Sequence, residues 1–381
     1  MKQYGKKVSI IIPLLIFLTL APPLKAMERF IRFTPENSTL ALVTPQSQSF
    51  AIWCDEREHK GVLTAVHNLQ TDFGKVTTAT PCLSKEKRQD VRIIIGSFDK
   101  SPLIRQLVKA GKLDAKELKN KNEKFIITTV HAPLEGLDGE ILLIAGSDKR
   151  GTIYGIYELS RQIGVSPWYW WADVPVAHHN SIYIKKGTYT DGEPAVKYRG
   201  IFINDEWPCM GNWTTSKFGG FNSKMYVHIY ELLLRLKANF LWPAMWSAAF
   251  YADDPLNSSL ADEMGIIIGT SHHEPMARNH QEYARNRKEY GAWNYQTNKE
   301  GIDRFFREGI QRMKGKEEVV TIAMRGDGDA PMGPDTDTHL LEDIVKEQRK
   351  IITEVTGKPA YKTPQLWALY SEVLEYYDQG M

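Results

Sequence analysis

The C-terminal half of the chain holds four apolar runs, each ending in a tight group of chemically capable side chains. Tyr198-Arg-Gly-Ile-Phe-Ile-Asn-Asp-Glu206 closes on the carboxylates of Asp205 and Glu206, and Asn239-Phe-Leu-Trp-Pro-Ala-Met-Trp246 closes on Trp246. Gly265-Ile-Ile-Ile-Gly-Thr-Ser-His-His-Glu274 ends in His272, His273 and Glu274, and Val319-Val-Thr-Ile-Ala-Met-Arg-Gly-Asp-Gly-Asp329 in Arg325, Asp327 and Asp329. A fifth apolar segment, 364–370, is followed by Glu372. Several carboxylates with an Arg and two His, collected at one mouth, suit glycoside hydrolysis. One protonated acid reaches the leaving oxygen while an ionised group activates water or attacks the anomeric carbon. Arg325 presents a planar fork matched to a carboxylate, which points to an acidic sugar.

Each group also has a plainer reading. Asp205 and Glu206 could cap the next element or pair with Arg199. His272 and His273 are neighbours on a strand end, so one of them is expected to face the site and the other a backbone carbonyl. Arg325-Gly-Asp-Gly-Asp329 also reads as a polar turn, since Gly-Asp pairs favour turns. Trp242 is expected in the core and Trp246 at the pocket rim.

The elements that must position these residues follow from the alternation of apolar runs with helical patterns. Strands are expected at 197–204, 239–246, 265–271, 318–325 and within 364–370, with helices at 222–238, 298–314 and 337–356 and a long polar insert at 275–296. Asn222 and Ser223 offer an N-cap to the first helix, whose Met225, Ile229, Leu232, Leu233 and Leu236 recur at helical spacing. Alternating strands and helices with polar residues at the strand C-termini are the pattern of a (β/α)8 barrel. Five of eight strands are accounted for, so residues 196–381 are expected to form a partial catalytic barrel truncated after about strand 5.

Residues 27–190 read as a smaller α/β domain. Strand-like segments lie at 49–53, 91–96, 125–130, 141–146 and 181–184, with helices at 60–73 and 103–112. Gly146-Ser-Asp-Lys-Arg-Gly-Thr-Ile-Tyr-Gly-Ile-Tyr-Glu-Leu-Ser160 fits a strand–loop–helix corner made for packing. Pro167, Pro175, Gly187, Gly192 and Pro194 mark the connection to the barrel.

At the N-terminus Lys2, Lys6 and Lys7 precede an apolar stretch of roughly 13 residues, Val8 to Leu20, and then a small Ala26, the order of a signal peptide over 1–26. The stretch is too short to span a bilayer, so a secreted or periplasmic protein without membrane attachment is expected. A net charge of +2 leaves no nucleic-acid footprint. Cys54 and Cys82 could pair, leaving Cys209, or all three could be isolated thiols. No Cys-x-x-Cys or His-Glu-x-x-His spacing is present, so neither a metal nor another cofactor is expected. Ten Trp and seventeen Tyr supply flat faces that stack on sugars or fill the core.

Arg199-Gly-Ile-Phe-Ile-Asn-Asp-Glu206, Phe218-Gly-Gly-Phe-Asn-Ser-Lys-Met-Tyr226, Leu236-Lys-Ala-Asn-Phe-Leu-Trp-Pro-Ala-Met-Trp246, Gly269-Thr-Ser-His-His-Glu-Pro-Met276 and Met324-Arg-Gly-Asp-Gly-Asp329 together resemble glycoside hydrolase family 115, the xylan α-1,2-glucuronidases. The resemblance implies removal of glucuronic acid, or its 4-O-methyl ether, from glucuronoxylan or xylo-oligosaccharides by inversion. It implies Arg325, His272 and His273 in the uronate pocket, Glu372 as general acid and Asp329 as a further pocket carboxylate. The family's next carboxylate cluster has no counterpart here, so the base is expected beyond residue 381. An oligomer is left open. A non-catalytic carbohydrate-binding fragment and a hexosaminidase-like glycosidase are the alternatives.

Overall fold

The computed structural model describes residues 27–204, 206–328, 330–333 and 337–378, a mixed α/β structure with three sheets. The proposed signal peptide lies outside the described residues. In chain order the strands are β1 (Ile31–Arg32), β2 (Thr39–Val43), β3 (Ala51–Cys54), β4 (Cys82–Ser84), β5 (Val91–Ser97), β6 (Phe125–His131), β7 (Glu140–Gly146), β8 (Ile182–Lys185), β9 (Thr188–Tyr189), β10 (Gly200–Phe202), β11 (Phe240–Trp242), β12 (Ile267–Gly269), β13 (Glu318–Thr321) and β14 (Gln365–Leu366).

The first half builds a six-stranded sheet in the order β4-β3-β5-β7-β6-β9, parallel from β4 to β7 and antiparallel beyond, beside a small antiparallel sheet, β1-β8-β2. Val91–Ser97 and Glu140–Gly146 are nearly continuous apolar runs because both faces are covered. The helix Lys149–Gln162 starts where Asp148 Oδ1 accepts the Gly151 amide at 2.8 Å, and it is buried along most of its length. The three cysteines are free thiols, and burial pushes the Cys54 thiol up.

The second half is a five-stranded, all-parallel sheet whose order follows the chain, β10-β11-β12-β13-β14. The expected elements are present, with shorter strands of two to four residues. Asn222 caps the helix Ser223–Arg235 by accepting the Lys224 amide at 3.1 Å, and Met225, Ile229, Leu232 and Leu233 turn inward. Leu236, expected on that face, is instead exposed at the helix end. The insert at 275–296 is less polar than its sequence suggests: it folds into short turns around buried Tyr283, Tyr290, Trp293 and Tyr295.

One continuous apolar cluster runs from Phe30 and Phe73 through Tyr226 and Phe250 to Phe305 and Ile352, so the two main sheets share a core. A polar junction reinforces it at the N-terminal ends of the parallel strands. Glu123 Oε1 accepts from Arg150 Nε (2.6 Å) and Asn239 Nδ2 (2.8 Å), and Glu123 Oε2 accepts from Arg199 (2.5 Å). Arg150 reaches on to Glu317 at 2.6 Å, and Asn239 Oδ1 takes the Arg199 amide at 2.9 Å. Arg199, which could have paired with Glu206, instead meets Glu123 just before β6 of the first sheet.

Truncating Glu123 leaves two guanidinium groups and an amide facing a half-dry gap. Glu123→Ala should destabilise the protein by about 3 kcal/mol, the low end for removing one partner of a buried ion pair. Urea unfolding followed by circular dichroism measures it, and an unchanged midpoint would show that the junction is not holding the sheets together.

Candidate functional site

Because the five parallel strands point one way, the segments leaving β10 to β14 open on one side of the sheet. There four rings and a guanidinium form a chain of contacts. Trp246, after β11, meets His273 edge to face with centroids 5.6 Å apart, His273 lies 4.3 Å from His272, and His272 lies 4.3 Å from Tyr370, after β14. The Arg325 guanidinium, after β13, stands 6.0 Å from the Tyr370 ring centre. His272, Thr321, Arg325, Trp367 and Tyr370 line a small cleft. Roomier space exists where the strands begin, beside Lys197, Tyr198, Glu318 and Pro364, but a parallel sheet collects its chemistry where the strands end.

Backbone strain gathers at the same edge. Ser247 after β11, Met276 and Ala277 after β12, and Ala323 after β13 have φ of +57°, +61°, +55° and +74° without being glycine. Arg285 donates to the Ser247 carbonyl at 3.0 Å and Arg312 to the Ala277 carbonyl at 2.8 Å. Gln348, fully buried on the helix Thr338–Thr356, accepts the Ala323 amide at 2.7 Å and donates to the Ala323 carbonyl at 2.8 Å. Two residues later the Arg325 carbonyl receives Trp293 Nε1 at 2.9 Å. The main chain carrying Arg325 is thus gripped from a helix and from the insert, and its side chain is 4% exposed. Thr321 Oγ1 bonds the Thr270 carbonyl, tying the end of β13 to the segment after β12.

Glu206 is buried and its Oε1 accepts the amides of Met245 and Trp246 at 2.7 and 2.8 Å. This carboxylate, expected among the substrate-binding groups, fixes the turn after β11. Gly269 makes room beneath: a Cβ there would stand 2.6 Å from Trp242 Nε1 and from the Phe240 ring, so only glycine lets β11 and β12 lie this close. Trp242 is half-buried, edge to face with Phe202.

His272 and His273 come together with Arg325 and Trp246 as expected, and both rings belong to the cluster. Asp205 and Asp329 lie outside the described residues. Glu372 lies in the first turn of the helix Ser371–Asp378, immediately after Tyr370, and its side chain is outside what is described. Gln348, Trp293 and His280 join these site residues, without a motif in the sequence to mark them. His280 Nε2 lies 3.0 Å from Asp327 Oδ1, and its ring contacts His273 and Trp293. Burial would raise the Asp327 carboxyl, but hydrogen bonds from Arg287 and His280 bring it below the usual range. The aromatic spacing of the insert was the available signal for Trp293. Gln348 had none beyond being a polar residue on the apolar side of a helix. Glu274, noted only as part of its cluster, is fully buried against Asn279 Nδ2 (2.8 Å), and burial pushes its carboxyl up to about 8. Among the described residues no group of three His, Cys, Asp or Glu is arranged to hold a metal ion, and no helix is long and apolar enough to cross a membrane.

The family model for glycosyl hydrolase family 115 matches residues 191–381, half of the chain. The chain belongs to glycoside hydrolase family 115. A solved member of family GH115, the 4-O-methyl-α-glucuronidase BtGH115A, described as specific for decorated arabinogalactans, is 32% identical with a TM-score of 0.79. That likeness covers 90% of this chain and 44% of BtGH115A, so the chain spans less than half the length of this relative. A mutant Streptomyces plicatus β-hexosaminidase bound to its GlcNAc product covers 84% of this chain and 62% of its own, at 10% identity and a TM-score of 0.50, which is a likeness of fold alone. A search of curated proteins returns no match.

In this GH115 chain Glu274 supplies a pH test. Its folded-state value lies above the ordinary 4.5, so the folded state binds the proton more tightly than the unfolded one. That contribution to stability is complete below about pH 4.5 and is lost as pH rises toward about 8, with a slope of up to about 1.4 kcal/mol per pH unit. Glu274→Gln, which stays neutral, should flatten the profile in that window. Parallel unfolding curves of wild type and variant between pH 5 and 8 would expose the idea as wrong if their slopes coincide.

Proposed function

We propose that this protein is an exported glycoside hydrolase that removes glucuronic acid, or its 4-O-methyl ether, from glucuronoxylan by an inverting acid–base mechanism. The observation that carries the proposal is Arg325, buried and held from two sides, among the rings of His272 and Tyr370 at the C-terminal edge of the parallel sheet. A guanidinium fork offers a uronate carboxylate two parallel charge-assisted hydrogen bonds, and flat rings beside it suit the C–H faces of a pyranose. Membership of family 115 and the 4-O-methyl-α-glucuronidase activity described for BtGH115A support the coarser part of this reading, a glycoside hydrolase acting on glucuronic acid decorations.

In this scheme residues 1–26 are a signal peptide, 27–190 an α/β domain and 196–381 part of a (β/α)8 barrel. The sequential, all-parallel order of β10 to β14 supports the last of these. Glu372, which follows Tyr370 at the start of a helix, would protonate the leaving oxygen. Asp329 and Asp205 would add carboxylate to the mouth, His272 and His273 would line the uronate pocket, and Trp246 would form its rim. An inverting site needs a water between acid and base carboxyls roughly 6.5–9.5 Å apart, so the released uronic acid first appears as the β-anomer.

The test uses the full-length protein. Arg325→Lys keeps the charge but not the fork, and should lower kcat/KM on uronylated xylo-oligosaccharides by about 2–3 kcal/mol, roughly 30- to 150-fold. Unchanged efficiency would take Arg325 out of the pocket. Glu372→Gln should lose most activity on the polymer and keep more on an aryl α-glucuronide, whose phenolic leaving group needs little protonation. Equal losses would move the acid role to another carboxylate, and proton NMR showing the α-anomer first would exclude inversion. Running glucuronoxylan and decorated arabinogalactan side by side decides between the polymer the sequence resemblance implies and the one described for BtGH115A.

A further inference from the structure

Two large aromatic side chains beside the cleft are exposed yet firmly held. Trp207 is 42% and Trp246 38% exposed, and they adjoin each other, with Trp207 Nε1 donating to the Trp246 carbonyl at 3.3 Å. The Trp207 ring lies against the backbone of Gly211 in the helix Cys209–Phe218, where an added Cβ would come within 2.4 Å of Cδ2 and Cε2. Any other residue at 211 would lift the indole off its seat. Trp246 is fixed through its amide by the buried Glu206 carboxylate, with the strained Ser247 directly after it. Leaving this much apolar area in water costs free energy, and the surroundings keep it there rather than letting it fold inward.

We propose that Trp207 and Trp246 form a stacking platform for neutral pyranose rings of the polymer backbone, next to the pocket that takes the charged side sugar. The inference rests on the proposed function for its choice of ligand. A pyranose has an apolar C–H face that complements the electron-rich face of an indole, while its hydroxyls stay at the ring edge in water. Continuity places the platform: Trp246 touches His273, which touches His272 at the cleft lined by Arg325. A uronate at Arg325 therefore leaves the sugar that carries it, and that sugar's neighbours, on the Trp246 side. The ligand class is an uncharged backbone of linked pyranoses, bound by faces rather than by charge.

The experiment compares wild type, Trp207→Ala and Trp207→Phe of the full-length protein on polymeric glucuronoxylan and on an aryl α-glucuronide, which has no backbone. Trp207→Ala should raise KM on the polymer about tenfold more than on the aryl substrate, and Trp207→Phe, which keeps a flat face, should recover most of the difference. Equal losses on both substrates, or no loss on the polymer, would overturn the platform. Should wild type cleave neither substrate, the glucuronidase reading fails separately and native gels cast with glucuronoxylan or decorated arabinogalactan decide. Retardation of wild type that weakens in Trp207→Ala and returns in Trp207→Phe supports the platform; identical mobility of the three proteins in both gels ends it.

Discussion

The parallel, in-sequence pairing of β10 to β14 is the constraint from which the rest follows. Gly200 pairs with Phe240, Ile268 with Glu318 and Val320 with Gln365, so every neighbour is reached by a crossover and every strand leaves the sheet on the same side. Strands of two to four residues make few ladder bonds. Much of the cohesion therefore comes from the helices Ser223–Arg235, Lys299–Met313 and Thr338–Thr356 and the aromatic core they share with the first sheet. The strand N-termini are committed to that union through Glu123, Arg150, Arg199 and Asn239. The opposite ends carry the cluster of Trp246, His273, His272, Tyr370 and Arg325.

At those ends the structure spends buried polar side chains on holding backbone. Gln348 satisfies both polar groups of Ala323, Glu206 accepts two successive amides, Asn279 Oδ1 accepts the Tyr251 amide, and Trp293 Nε1 donates to the Arg325 carbonyl. A non-glycine residue at positive φ costs of order 1–3 kcal/mol, so such turns persist only where the surroundings over-determine them. The consequence is a main chain tied down at this edge, and preorganised groups are worth more to binding and catalysis than mobile ones.

The helices and strands were legible because their signals are local. The apolar stripe Met225, Ile229, Leu232, Leu233 and the Asn222 cap located the helix Ser223–Arg235, and the five apolar runs located the strands. Gathering of His272, His273, Arg325 and Trp246 was legible too, since strand direction alone brings strand ends together. What escaped was tertiary. Glu206 looked like a site carboxylate because nothing local reveals that its partners are amides some forty residues away. Gln348 is one polar residue in an amphipathic helix, and its value depends on the unusual φ of Ala323. Tyr283, Tyr290 and Trp293 sit in a stretch whose charges suggested a solvated loop, yet their rings pack onto Phe305 of the next helix.

The division of this edge among strands bears on how one chemistry could serve different polymers. The cation is set by β13, through main chain gripped at Ala323 and at Arg325, and its aromatic neighbours come from β12 and β14. The exposed indoles come from the segments after β10 and β11, anchored by Glu206 and Gly211. None of the anchors of the first group appears in the second. Substitutions around Trp207, whose seat is Gly211, should therefore leave Arg325 in place, whereas substitution of Gln348 or Trp293 should shift the main chain that carries it. In the proposed function, discrimination between backbones belongs to the β10 and β11 segments and recognition of the charged sugar to β13. Substitutions that alter the preferred polymer should thus be tolerated on one side of the mouth and not on the other.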